Sequence, residues 1–243
     1  MSLTARPILC LVTSLRYLDE RAPTPVDRPF ERLVDRIRQA AASGVSLVQI
    51  REPQLGASEL LLLVQRAVEA VRGTPCRVVV NDRLDVALAA GAHGVHLRAD
   101  SFAPERIRAR WPSALIGCSV HSLPEVARCA GAGAADYLVF GTVFPSSSKA
   151  AGHPAAGVEA LASVVYASSP LPVLAIGGVT LESAPAVAAA GAAGLAAIAL
   201  FSGSAGNGPP LHEIVRRLRE TFQNPSAGRA DNISGLPSGH TDA

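Results

Sequence analysis

The sequence is poor in aromatic residues and in clustered positive charge. Aromatic residues make up 4% of the 243 positions, and 22 basic residues against 20 acidic ones leave a formal net charge of +2. Proteins that bind nucleic acid usually carry a clear excess of basic charge, and those that bind single strands add aromatic rings for stacking. Neither feature is apparent, so we expect no nucleic-acid partner.

Cysteine and long apolar runs are also scarce. The four cysteines show no CxxC spacing, and three of them lie in or beside apolar runs, where a free thiol behaves as a small hydrophobe. The N-terminus lacks the pattern of a signal peptide. The uncharged stretch 184–201 is mostly alanine and glycine, which are too weakly apolar for a membrane span. We therefore predict a soluble, cytoplasmic protein without a membrane partner.

The chain does have a regular alternation of two kinds of segment. Short apolar, β-branched runs alternate with longer amphipathic segments, which is typical of βα units on a parallel sheet. Eight such units predict a single (β/α)8 TIM barrel, a fold that carries its active site on the loops after the strands. A doubly wound sheet is the alternative, but the number of units and the lack of GxGxxG after the first strand argue against it. The predicted strands are Ile8 to Thr13, Ser46 to Ile50, Arg77 to Val80, Gly94 to Leu97, Leu115 to Cys118, Tyr137 to Phe140, Pro172 to Ile176 and Leu195 to Ala199.

The barrel is assigned to residues 7–222, after an N-terminal extension at 1–6. Residues 223–243 are rich in proline, glycine, serine and asparagine, and we expect a disordered tail there. The segment 15–28 is longer than a typical βα loop and is a candidate lid over the barrel mouth.

Polar residues follow the predicted strands at the point where each strand ends. Because the carboxyl ends of barrel strands meet at one face, these side chains are expected to ring one mouth. A histidine in such a ring suits proton transfer near neutral pH, although capping is the alternative for His121 and for Asn81. His96 is expected to be a packed histidine with a satisfied N–H. The ring comprises Gln49, Arg51, Asn81, Asp82, His96, Arg98, Ser119, His121, the segment 141–149, Gly177 and Gly178.

Two features of this ring point to phosphate. Lys149 is the only lysine in the chain, and its compact ammonium can follow a phosphate better than a planar guanidinium can. The Gly177-Gly178 pair follows the seventh strand, where backbone N–H groups commonly hold phosphate in this fold. A chance lysine and an ordinary tight turn are the respective alternatives.

Five stretches together resemble the thiamine phosphate synthase superfamily over residues 7–222. They are Val48-Gln49-Ile50-Arg51-Glu52, Val80-Asn81-Asp82-Arg83-Leu84-Asp85, Gly94-Val95-His96-Leu97, Asp136 to Gly141 with Val143-Phe144-Pro145, and Ala175-Ile176-Gly177-Gly178. Three others, at 101–104, 108–112 and 119–123, look more like the TenI branch of that superfamily, whose characterised members are thiazole tautomerases.

The chain also departs from the synthase pattern, in which a lysine stands at the place of Pro53 and a magnesium-binding aspartate at the place of Ser101. Asp100 is one residue early, and whether it reaches a metal is open. Magnesium is usually held by one or two carboxylates with substrate phosphates and water, so these changes should weaken such a site. We therefore expect no cofactor, with magnesium at Asp82 only if the chain is a synthase. The synthase residues that the chain retains are Asn81, Asp82, Ser119 and Lys149.

The resemblance to the TenI branch implies an isomerase, a thiazole tautomerase that aromatises a carboxythiazole phosphate in thiamine biosynthesis. His121 is then the catalytic acid/base that moves the proton. Two alternatives stay open: a magnesium-dependent thiamine phosphate synthase, which joins a pyrimidine diphosphate to a thiazole phosphate, and a non-catalytic barrel that binds thiazole phosphate. A homo-oligomer is left open as well. The substrate-binding residues implied are Gln49, Arg51, Asn81, Ser119, Ser146, Ser148, Lys149, Gly177, Gly178, Ile198 and Ala199.

Overall fold

The computed structural model describes residues 3, 6–19, 29–131, 133–146, 154–202 and 208–225. Eight parallel strands form a closed barrel in the order of the sequence, and helices lie between them. The prediction of a (β/α)8 TIM barrel is confirmed. The strands are β1 (Ile8–Val12), β2 (Leu47–Ile50), β3 (Arg77–Asn81), β4 (Gly94–Leu97), β5 (Leu115–Val120), β6 (Tyr137–Gly141), β7 (Val173–Ile176) and β8 (Gly194–Ala197).

The observed helices agree, except at a few ends, with those that the amphipathic segments of the sequence predict. The predicted helices are Pro29 to Ala42, Ser58 to Val71, Arg83 to Ala90, Pro104 to Trp111, Leu123 to Ala130, Val158 to Ala167, Leu181 to Ala190 and Pro210 to Phe222. Two short helices, α1 and α9, were not predicted, and Ala199 opens α9 instead of ending a strand. The helix α8 (Ala184–Ala189) begins three residues after the predicted start at Leu181. Thr180 and Ser183 first close a turn through reciprocal bonds between backbone N–H and side-chain oxygen, of 2.9 and 3.2 Å. The helices are α1 (Leu15–Asp19), α2 (Pro29–Ala42), α3 (Ala57–Ala70), α4 (Leu84–Ala89), α5 (Pro104–Arg110), α6 (Leu123–Ala130), α7 (Gly157–Ser168), α8 (Ala184–Ala189), α9 (Ala199–Ser202) and α10 (Leu211–Gln223).

Alternation along the strands separates two apolar cores. On β1, Leu9 and Leu11 pack toward the helices, whereas the residues between them fill the barrel interior. The same alternation places Leu47 and then Gln49 inside the barrel on β2. The barrel interior is therefore polar at the carboxyl ends of the strands and apolar below them. The apolar interior consists of Ile8, Cys10, Val12, Leu47, Val79, Leu115, Tyr137, Val139, Leu174 and Ala196.

The strand β5 is two residues longer than predicted. Ser119 pairs with Val139 and Val120 with Phe140, so the serine belongs to the strand and its side chain belongs to the barrel interior. His121 is the first residue beyond the strand.

Two further predictions concern the periphery of the barrel. The first residues of the segment 15–28 form α1, whose Leu15 N–H donates to both carboxylate oxygens of Glu52 at 3.2 and 3.0 Å. Residues 20–28 and 226–243 lie outside the described residues, so the lid and the disordered tail stay predictions. All four cysteines are free and buried, including the one for which the apolar runs predicted nothing. Within the described ranges, no helix has both the length and the apolar character needed to cross a membrane.

Candidate active site

Gln49 and Asn81 form the first polar pair at the barrel mouth. They end β2 and β3, and the Gln49 side-chain amide donates to Asn81 Oδ1 at 2.9 Å. Gln49 is 4% exposed, and its Oε1 has no hydrogen-bond partner among the described residues. A buried polar atom without a partner costs about 1–3 kcal/mol, so this acceptor is available to a ligand at the mouth. Asn81 does not cap α4, because Arg83 holds the cap position.

His96 connects two residues of the neighbouring strands. Its Nδ1 lies 3.1 Å from the Tyr137 hydroxyl and its Nε2 lies 2.9 Å from Ser119 Oγ. Burial lowers the pKa of His96 to about 3, so the imidazole is neutral at physiological pH. The expectation of a packed histidine with a satisfied N–H is confirmed, because both ring nitrogens have a partner. Tyr137 was missed, since nothing in its apolar strand marks it as a partner of the mouth.

His121 is fixed at the end of β6 rather than free on the surface. Its Nδ1 lies 2.5 Å from the carbonyl oxygen of Gly141, and its backbone N–H donates to Glu125 Oε2 at 2.6 Å. A carbonyl only accepts, so Nδ1 carries the hydrogen and, in the neutral ring, Nε2 is the acceptor. The cap of α6 is Ser122, not His121.

A charged cluster occupies the mouth between β3 and β4. Asp82 has a positive φ of 61°, a left-handed conformation that non-glycine residues rarely adopt and that marks a constrained position. Its carboxylate accepts a hydrogen bond from the Ser101 hydroxyl and lies 3.4 Å from Arg98 Nε. The Arg98 guanidinium is also bound to both carboxylate oxygens of Asp100, at 3.0 and 2.7 Å.

This cluster does not fit a magnesium site built on two carboxylates. Both Asp82 and Asp100 already face the Arg98 guanidinium, and Ser101 contributes a hydroxyl in place of a charge. A metal would have to displace the guanidinium from its carboxylates. In the part of the chain that the structure describes, no group of three histidine, cysteine, aspartate or glutamate side chains is arranged for a metal ion.

The loops after β6 and β7 pack closely at the two glycines. A Cβ atom on Gly177 would lie 2.5 Å from Thr142 Cγ2, and one on Gly178 would lie 2.2 Å from the carbonyl oxygen of Pro145. The Phe144 N–H also donates to the Gly177 carbonyl at 3.0 Å. The glycine pair therefore has a packing role, which leaves its phosphate-binding role a prediction.

The remaining predicted site residues either lie outside the described residues or make few contacts at the mouth. Ser146 is half-buried at the end of the described part of the β6 loop, and Ser148 and Lys149 lie outside the described residues. Arg51 is exposed after β2. The sequence also allows a pair between Arg51 and Glu52, but Glu52 is bound to the backbone of α1 and to Gln54 instead. Ile198 and Ala199 follow β8, and Ala199 lines a cavity of about 130 Å³. That cavity is lined by Thr180, Leu181, Glu182, Ala199, Leu200, Gly208, Pro209 and Ile214.

Comparison with known proteins gives the same family at the level of sequence and fold. The family model described as thiamine monophosphate synthase (TMP-TENI) matches residues 24–201. The thiamine-phosphate synthase of Myxococcus xanthus is 40% identical over 198 residues, which cover 80% of this chain and 87% of the relative. That of Anaeromyxobacter dehalogenans is 42% identical over 81% of this chain and 85% of the relative. The structure of thiamine phosphate pyrophosphorylase from Pyrococcus furiosus superposes with a TM-score of 0.71 at 28% identity, over 90% of this chain and 97% of that one.

These relatives correct the choice of branch. The superfamily resemblance is confirmed, but the curated relatives at 34–42% identity are synthases, which are transferases. The prediction of a TenI-type thiazole tautomerase, and of an isomerase, is therefore wrong. The proton transfer assigned to His121 belonged to that reaction, and contact of His121 with a substrate stays a prediction.

Proposed function

This chain belongs to the thiamine monophosphate synthase family, and on that premise we propose that it is a thiamine-phosphate synthase. The reaction transfers a pyrimidinylmethyl group from its diphosphate ester to the ring nitrogen of a thiazole phosphate, and diphosphate is released. The observation that carries the proposal is identity of 40 and 42% to synthases over about four fifths of the chain.

This transfer depends on positioning the two substrates and on stabilising the negative charge of the departing diphosphate, rather than on proton transfer. The thiazole nitrogen forms a bond to the methylene carbon while the bond from that carbon to the diphosphate oxygen breaks. The diphosphate leaves with the electron pair, so donors and cations at the mouth favour the reaction. Because no proton has to be shuttled in this step, His121 is a candidate substrate contact only.

The mouth offers groups for each part of the two substrates. We assign the amide pair Gln49 and Asn81 to the pyrimidine side, because Gln49 Oε1 is a buried acceptor in need of a donor such as a ring amine. Arg51 and the lysine of the β6 loop are assigned to the diphosphate. The thiazole phosphate is assigned to the loops after β7 and β8, at Gly177, Gly178, Ile198 and Ala199, where this fold commonly holds phosphate.

The direct test is product formation. Purified protein is incubated with hydroxymethylpyrimidine diphosphate and thiazole phosphate, and thiamine phosphate and released diphosphate are both quantified, once with magnesium and once with EDTA. Equal amounts of the two products are expected. Their absence under both conditions at high enzyme concentration contradicts the proposal.

A matched pair of variants locates the reaction at this mouth. Arg51 and Arg72 are both exposed, but Arg72 pairs with Glu69 on the outer surface of the barrel. Arg51→Ala should lower kcat/KM by at least about tenfold, whereas Arg72→Ala should leave it unchanged. Equal effects would place the reaction elsewhere.

A further inference from the structure

The chain of hydrogen bonds from Tyr137 through His96 to Ser119 has a direction that its surroundings determine. His96, Gly117 and Tyr137 lie at one level on the adjacent strands β4, β5 and β6. A Cβ atom on Gly117 would lie 2.1 Å from Tyr137 Cζ, so only glycine leaves room for the ring to reach across β5. The tyrosine hydroxyl thereby meets a histidine two strands away.

Both aromatic residues are enclosed in the barrel. His96 is 1% exposed and Tyr137 is 0% exposed. Burial lowers the pKa of His96 to about 3 and raises the pKa of Tyr137 well above its ordinary value, so both are neutral across the physiological range. A neutral imidazole has one N–H donor and one acceptor nitrogen, so the hydrogen bonds from Tyr137 to Ser119 can run in only two directions.

In the first direction, Tyr137 donates to Nδ1, and the Nε2–H of His96 donates to Ser119 Oγ. The serine hydroxyl hydrogen is then free to point at the mouth. In the second direction, Ser119 donates to Nε2 and Nδ1–H donates to the tyrosine oxygen, which leaves the tyrosine O–H in need of another acceptor.

The interior offers no such acceptor among the described residues. Among the described residues, the only hydrogen-bond partner of the Tyr137 hydroxyl is His96. Tyrosine hydroxyls usually have a partner when buried, and an unsatisfied donor is costly. The first direction satisfies every group and the second does not.

We propose that Tyr137 and His96 are positioning residues that hold the Ser119 hydroxyl as a hydrogen-bond donor toward an anionic oxygen of the substrate at the mouth. The inference deepens the proposed transferase function and rests on it for the identity of that oxygen. A donor fixed before the substrate arrives needs no reorientation as charge develops, which is the general advantage of a preorganised site.

The direction of these hydrogen bonds can be measured without substrate. In protein labelled with 15N-histidine, the imidazole tautomer of His96 is read by NMR, with His96→Gln used to assign its signals. The inference requires the Nε2–H tautomer in the wild type and a mixed or reversed tautomer in Tyr137→Phe. A wild-type Nδ1–H tautomer overturns it, whatever the activity.

The catalytic consequence is measured by kinetics. Removing a fixed donor typically costs 10²–10³ in kcat, so Ser119→Ala should lose about a hundredfold. Tyr137→Phe should lose about tenfold in kcat with little change in KM, because the Ser119 hydroxyl in this variant still points at the mouth part of the time. The double variant should be no slower than Ser119→Ala, because both changes remove the same donor.

A control separates positioning from loss of stability. Val139 lies on the same strand and in the same core as Tyr137 but makes no side-chain hydrogen bond. Val139→Ala should lower the urea midpoint at least as much as Tyr137→Phe and leave kcat unchanged. If the two variants reduce kcat equally, Tyr137 is merely structural and the inference fails. If the wild type forms no thiamine phosphate, the proposed function fails, while the tautomer still decides the direction of the Ser119 hydroxyl.

Discussion

Replacement of Gly178 by alanine tests whether this glycine is required by packing. Its φ of +62° is almost the same as the +63° of Gly133, yet the surroundings of the two residues differ. Around Gly133 no atom of the described residues, its chain neighbours aside, lies within 4 Å of a built Cβ, whereas at Gly178 the carbonyl oxygens of Pro145 and Phe144 would lie at 2.2 and 2.8 Å. Gly133→Ala therefore measures the cost of the backbone conformation alone.

The expected losses follow from these two environments. An alanine in the left-handed conformation costs roughly 1–2 kcal/mol, and both variants pay it. At Gly178 the β6 loop must also move by more than half an ångström to restore contact distances, and overpacking of this kind costs about 1–3 kcal/mol more. The free energy of unfolding should fall by roughly 2–5 kcal/mol in Gly178→Ala and by no more than about 2 kcal/mol in Gly133→Ala.

Urea unfolding followed by the fluorescence of Trp111, the only tryptophan, gives both values. The displaced β6 loop carries Ser146 and leads to Lys149, so Gly178→Ala should also raise the KM for thiazole phosphate. Gly133→Ala should not. Losses that agree within about 0.5 kcal/mol would refute the packing argument, since the scatter between independent sites is of that size.

Three further outcomes follow from the described contacts. Because Arg98 already neutralises the carboxylates at the mouth, magnesium should bind weakly. Ser101→Asp should raise the affinity for magnesium at least about tenfold in a calorimetric titration. An unchanged affinity would show that a second carboxylate is not what the mouth lacks. The pKa of His96 is about 3 when folded against 6.5 when unfolded, so its contribution to stability is present above pH 6.5 and is lost at up to ~1.4 kcal/mol per pH unit as pH falls toward 3. In His96→Gln, urea midpoints measured from pH 7 to 4 should lack this slope, and an identical slope would exclude His96 as its source. Arg108 donates to the backbone carbonyls of Ala114 and Ala134, which precede β5 and β6, and to the Asp136 carboxylate at 2.7 Å. Arg108→Ala should therefore lower the free energy of unfolding by about 2–4 kcal/mol, whereas replacement of the exposed Arg106 by alanine should change it by no more than about 0.5 kcal/mol. Equal losses would show that these bonds add no stability.

The barrel was predictable because its signals are local. A buried parallel strand is a short apolar run and each helix is a longer amphipathic one, so their alternation alone indicates the fold. The same rule placed Gln49, Asn81 and Ser119 at the ends of strands, and the structure brings these residues to one mouth. The start of α8 was predicted too early because the turn at Thr180 depends on side-chain hydrogen bonds rather than on periodicity.

The polar contacts behind the mouth were not predictable from single strands. The bond between His96 and Tyr137 depends on the register of three neighbouring strands and on the gap at Gly117, neither of which is visible in a local pattern. The charged cluster at Asp82 likewise depends on a left-handed backbone that aims its carboxylate at Arg98. Sequence reasoning could recognise these residue types as polar and near the mouth, but not their partners.

The choice of branch failed because the motif that suggested it does not distinguish the two reactions. In Ser119-Val120-His121, the serine is held by His96 and the His121 ring by the Gly141 carbonyl, and both arrangements leave a polar group at the mouth for any ligand. The two reactions differ in charge instead, since a diphosphate brings more negative charge than a thiazole monophosphate alone. The chain departs from the synthase pattern at two positions that bear on this charge, Pro53 and Ser101, but it keeps Arg51 and Lys149, which we assign to the diphosphate. The Arg98 cluster is therefore the best place to test the proposed synthase, because the synthase pattern has a second, magnesium-binding carboxylate at the place of Ser101, whereas here the Arg98 guanidinium faces Asp82 and Asp100.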